Sequence, residues 1–124
     1  MRRFRGHPSS LHEIRTFVKE RGLAEDMAAE AIDDLVLAAS EASANAILHT
    51  NSRWVVVEWL SGDGSVGVEV RDAGVFERHM PVPELDGHGR GIPLMMAVMD
   101  EVSIHEGTPA RPGTRVRLLK EWPQ

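Results

Sequence analysis

The chain has 124 residues, a formal net charge of -5 at pH 7, and 42% hydrophobic and 27% charged residues, the balance of one soluble globular domain. The acidic balance argues against a general nucleic-acid binder, and no apolar run approaches the roughly 20 residues of a membrane span. Zero cysteine excludes disulfides, thiolate chemistry and cysteine zinc sites.

Arg2, Arg3 and Arg5 flank a possible short edge strand over residues 2–5. No signal-peptide apolar segment follows them, so a cytoplasmic location is expected. Pro8-Ser9-Ser10 reads as a helix start, with Ser10 and Glu13 spaced as a capping box. Leu11, Ile14, Phe17 and Val18 then recur at helical spacing, and Gly22 is the expected stop. A second helix is predicted from about Glu25 to His49, its apolar face running through Ile32, Leu35, Val36, Ala39, Ala42, Ala46 and Ile47. Thr50-Asn51-Ser52 is a turn. Residues 54–60 form a β-branched and aromatic strand, and residues 61–64 a hairpin turn into the partner strand 66–70. Trp54 and Trp59 are an odd number of residues apart and belong on opposite faces of their strand.

Gly74, Pro81, Pro83, Gly87, Gly89 and Gly91 punctuate a long segment after Asp72, and loops of that length in a compact domain are usually functional or disordered. Glu77, His79, Asp86 and His88 in it match no zinc spacing and read as solvated side chains. A short apolar helix follows at 92–99, whose methionines suit core or dimer packing, and strands are predicted at 102–105 and 114–119. The order predicts an α+β fold: a two-layer sandwich with helices on one face of a mixed, mostly antiparallel sheet.

Two stretches carry the chemistry. Glu41, Asn45 and His49 are four residues apart, so they form one polar row on a helix otherwise built of Ala, Ser, Ile and Leu. A solvated face would carry long flexible charges; small neighbours leave room for a ligand to approach. Gly87-His88-Gly89-Arg90-Gly91 leads into a helix, where backbone N–H groups and the helix dipole favour an anion. Neither a dinucleotide-fold glycine motif after a strand nor a Walker loop is present.

These pieces together resemble the small bacterial anti-sigma factor serine/threonine kinases, within the ATPase superfamily of gyrase, Hsp90, MutL and histidine kinases (GHKL). Residues 41–49 (EASANAILH) are similar to the N box of that family, and Asp72-Ala73-Gly74 to the start of its first glycine box. Gly89-Arg90-Gly91-Ile92 is similar to its second glycine box. Met99-Asp100-Glu101-Val102 and Gly113-Thr114-Arg115-Val116 resemble two further segments, the former pointing to the anti-sigma branch.

The resemblance implies one histidine-kinase-like ATPase domain over 1–124 with the Bergerat ATP-binding fold and a short ATP lid at about 75–90. It implies ATP and Mg²⁺ as cofactors, with Asn45 the metal ligand and Glu41 the general base. His49 falls near the nucleotide or acts as a structural cap. Asp72 is implied to take the adenine amine and Gly74 to let the base lie close. Gly89, Arg90, Gly91 and Ile92 are implied at the phosphates, and Thr114 beside the adenine-binding acid. The implied partners are a sigma factor of RNA polymerase, an anti-anti-sigma protein of the STAS type, and a second copy of the chain, without direct contact to nucleic acid or membrane. Val75-Phe76 stand where the family has a second glycine, and prolines stiffen the lid. Those departures keep open a non-catalytic partner-binding module with weak or lost turnover. A detached histidine-kinase domain is a third reading, disfavoured by the 99–102 segment and the small size.

Overall fold

In the computed structural model the described residues are 1–48, the backbone of His49, 52–62, 64–73, 94–105, 110 and 113–121. Strand β1 (Arg2–Arg5) and a 3-10 turn (Pro8–Ser10) lead into α1 (Leu11–Ala24) and α2 (Ala29–His49). Then come β2 (Trp54–Gly62), β3 (Ser65–Asp72), β4 (Glu101–His105) and β5 (Arg115–Glu121). Residues 94–98 are helical. The strands form a five-stranded sheet in the order β1-β2-β3-β5-β4. All four described pairings are antiparallel, in keeping with the mostly antiparallel sheet expected from the sequence.

One face of this sheet carries the helices. Val55, Val57 and Trp59 of β2, Val66, Val68 and Val70 of β3, and Val116 and Leu118 of β5 are buried there against Ile14 and Val18 of α1 and Leu35 of α2. Alanines 38, 39, 42 and 46 line the buried stripe of α2. With alanine methyl groups at four of the helix's buried positions, α2 can lie close over β3 and β5. Each buried side chain of Val or Leu size contributes roughly 1.5–3 kcal/mol by leaving water.

Two helix boundaries differ from the sequence reading, for identifiable reasons. Gly22 does not end α1, which runs on to Ala24; it is buried, and a Cβ there would come within 2.8 Å of Ile32 Cγ1. Its role is to let α1 and α2 approach. The chain turns instead at Asp26, φ 58°, a left-handed conformation that Asp tolerates better than most residues. Residues 25–28 are used in that turn, so α2 starts at Ala29. Ser10 makes no side-chain cap; His7 Nδ1 caps the preceding turn by accepting from the Ser9 amide at 3.1 Å.

The other sheet face is covered by its own side chains. Glu69 is only 3% exposed, and Arg117 and Arg71 hold its two oxygens at 3.0 and 3.1 Å. A buried carboxylate without such partners would be strongly destabilising. Trp59 is buried on the helix side, where its Nε1 donates to Glu25 Oε2 at 3.2 Å, while Trp54 lies on the opposite face under Arg3 at 5.0 Å. Arg2 stacks over Phe4, so β1 uses its arginines as aromatic covers. Trp122 lies outside the described residues.

Candidate functional site

The polar row sits on the sheltered half of α2. From residue 38 to residue 47 no position is fully exposed, and Glu41 and Asn45 are both half-buried. They flank the alanine stripe that faces the sheet. Among the described residues, neither side chain makes a hydrogen bond or ion pair. A half-buried carboxylate and amide with free oxygens form a hard-oxygen donor set, which suits Mg²⁺ together with phosphate and water oxygens. His49 ends the helix, and its side chain lies outside the described residues.

Asp72 ends β3. Its carboxyl points to the helix side, because it continues the buried alternation of Val66, Val68 and Val70 and pairs with Val55. It is 5% exposed. Its amide donates to the Thr114 carbonyl at 3.0 Å, and the Thr114 amide donates to Asp72 Oδ1 at 3.4 Å. Thr114 is itself buried. Gly113 holds φ 118°, and a Cβ on it would lie 3.1 Å from the Asp72 carbonyl oxygen. The glycine of the Gly-Thr pair is therefore needed both for its backbone angle and for the close approach to Asp72.

Chain direction brings the two groups toward one end of the sandwich. Asp34, near the start of α2, bonds Lys120 at 2.8 Å, and Lys120 lies opposite Val66 at the start of β3. From there α2 advances roughly 1.5 Å per residue while β3 runs on to Asp72. The chain leaves α2 and reaches Ser52, whose Oγ accepts the Ala73 amide at 3.0 Å, one residue beyond Asp72. Thus Glu41 and Asn45 lie on the part of α2 directed at the Asp72 end.

The segment 99–102 proves to be a fastening. Met99 is buried, the Asp100 amide donates to the Leu119 carbonyl at 3.0 Å, and Asp100 Oδ2 accepts the Glu121 amide at 2.6 Å. Lys120 also donates to the Val98 carbonyl at 2.7 Å, so one ammonium ties helical segment 94–98 to α2. Met95 is buried, whereas Met96 is exposed. Gly74, Gly89, Arg90, Gly91, Ile92, the lid and the acid–histidine group at 77–88 lie outside the described residues. Sequence reasoning missed Lys120, Asp34 and Ser52. Only Ser52, in a Thr-Asn-Ser turn, carried a local signal, and that signal read as an ordinary turn.

The buried Asp72 carboxyl, braced by the Gly113-Thr114 pair, thus lies at the same end of the sandwich as the Glu41–Asn45 row of α2. The profile of the histidine kinase-like ATPase domain family matches residues 4–120, and the chain belongs to that family. The fold is similar to that in the crystal structure of the RsbU and RsbW domains of Rv1364c from Mycobacterium tuberculosis, with a TM-score of 0.71 and 20% identity. That match covers 98% of this chain and 33% of the other, so the chain spans about a third of that protein's length. No curated protein matches in sequence. No described helix is long and apolar enough to cross a membrane.

Proposed function

We propose that the chain is an ATP-binding anti-sigma factor that transfers phosphate to a serine or threonine of an anti-anti-sigma partner of the STAS type. The observation that carries this reading is the buried Asp72 carboxyl, braced at Thr114 and set on the same side of the sheet as the free Glu41–Asn45 row. Asp72 accepts the exocyclic amine of adenine, a donor that guanine and hypoxanthine do not offer at that position. Asn45 holds Mg²⁺, which supplies charge neutralisation at the phosphates when bound. Glu41 accepts the proton of the attacking hydroxyl as its oxygen bonds to the γ-phosphorus. The bond from that phosphorus to the β–γ bridging oxygen breaks, and ADP leaves. Residues 75–90 serve as the lid, Gly89, Arg90, Gly91 and Ile92 contact the phosphates, and His49 closes the row. Nucleotide selects between sigma factor and antagonist by binding one complex better than the other, and the active unit contains two copies of the chain, in the cytoplasm.

Titration of wild type with Mg-ATP in a calorimeter, beside Asn45→Ala and Asp72→Asn, tests the site. Wild type should bind in the micromolar range. Asn45→Ala should abolish the heat, and Asp72→Asn should weaken ATP by roughly 10- to 100-fold, the effect of losing a charge-assisted hydrogen bond. No binding of adenine nucleotide by wild type would overturn the proposal. A second reading, a partner-binding module with weak or lost turnover, is favoured by Val75-Phe76 in place of the second glycine. Sigma-factor binding with no consumption of ATP would decide for it.

A further inference from the structure

We infer that Ser52 is a positioning residue for base recognition, fixing the Asp72 carboxyl from the far side of the sheet end; this rests on the proposed adenine role of Asp72. Ser52 Oγ donates to the Trp54 carbonyl at 2.6 Å and is 3.4 Å from the Trp54 amide, a local pattern common to Ser turns at strand starts. That local turn does not account for its third contact. The same oxygen accepts the Ala73 amide at 3.0 Å, across 21 residues of sequence, at the residue that follows the acid. β2 and β3 end their ladder at Val55 and Asp72, so Ala73 has left the strand pairing. Ser52 takes up that amide where the sheet no longer does.

The placement is itself held. Gly6, whose amide donates to the Arg53 carbonyl at 2.9 Å, lies so close that a Cβ would come within 2.5 Å of the Ser52 carbonyl oxygen. Asp72 is therefore fixed from two sides: Gly113 and Thr114 just before β5, and Ser52 through Ala73 on the β2 side. A hydroxyl is needed there because its oxygen must accept an amide and donate to a carbonyl at once.

The test measures affinities for ATP and for ITP, which lacks the exocyclic amine, in wild type, Ser52→Ala, Ser52→Thr and Asp72→Asn. If Ser52 positions Asp72, Ser52→Ala loses about tenfold in ATP affinity and little in ITP affinity, so base discrimination collapses toward that of Asp72→Asn. Ser52→Thr keeps the hydroxyl and should retain the wild-type ratio. A merely structural serine would weaken both nucleotides alike or neither, and an unchanged ATP/ITP ratio in Ser52→Ala overturns the inference. Should Ser52→Ala not fold, a collapsed ratio in folded Ser52→Thr overturns it equally. If Asp72→Asn itself leaves the ratio unchanged, the adenine role of Asp72 falls, and this inference falls with it.

Discussion

The two halves of the candidate site are built in opposite ways. At the strand ends, Asp72 is buried, and backbone bonds to Thr114 and the neighbouring Ser52–Ala73 bond hold it in place. On α2, Glu41 and Asn45 are half-buried, and their side chains have no partner among the described residues. The strand-end half is organised before any ligand arrives, which suits recognition of a fixed planar group. The helix half keeps its oxygens unassigned, which suits a metal ion and phosphates that bring their own charge. Preorganisation lowers the ordering cost of binding, whereas free oxygens retain the capacity for chemistry.

Breaking the helix half at its acid should give the largest effect. Glu41→Gln removes the proposed proton acceptor and keeps nearly the same shape. Phosphate transfer to a STAS-type partner should fall by about 100- to 10,000-fold, while Mg-ATP affinity stays within a few-fold of wild type. Radiolabel transfer and calorimetry on the same preparation separate the two. Equal losses in both would mean that Glu41 binds nucleotide and takes no part in proton transfer.

Breaking the strand-end half should act on stability as well as on binding. Gly113→Ala forces a side chain onto φ 118° and toward the Asp72 carbonyl oxygen. The strain should cost about 1–3 kcal/mol of unfolding free energy, read from the urea midpoint at constant m-value. ATP affinity should fall too, because the residue displaced is the proposed base acceptor. Unchanged stability would show that this turn relaxes freely and that the strand-end half is less rigid than its hydrogen bonds imply.

The same contrast explains what the sequence disclosed. The row on α2 was legible because a regular helix turns spacing into geometry: residues four apart must share a face. Strand positions were legible from β-branched runs such as Trp54-Val55-Val56-Val57. The insertion of β5 between β3 and β4 was not, since no local pattern records which strands become neighbours. Gly22 looked like a helix stop because glycine ends helices more often than it thins them. Ser52 was hidden because its decisive partner, Ala73, is remote in sequence. The strand-end half of the site is made of such remote backbone contacts, so motif spacing could place Asp72 and Thr114 but not the bonds that hold them.

The smallest effect sharpens the comparison most. Asn45→Ala removes a residue with no side-chain partner among the described residues, inside a helix where Ala is intrinsically preferred over Asn. If the amide is there for a ligand and not for the fold, its removal should leave the unliganded protein as stable as wild type, or more stable by ~0.5 kcal/mol. Denaturant unfolding without nucleotide measures this directly. The same variant should gain nothing from added Mg-ATP, whereas wild type should be stabilised in proportion to the logarithm of nucleotide concentration. A residue that costs the fold a little and binds nothing within it is the mark of a functional position. A destabilised Asn45→Ala would show instead that Asn45 belongs to the packing of α2, and the division between a wired strand end and an open helix row would not hold.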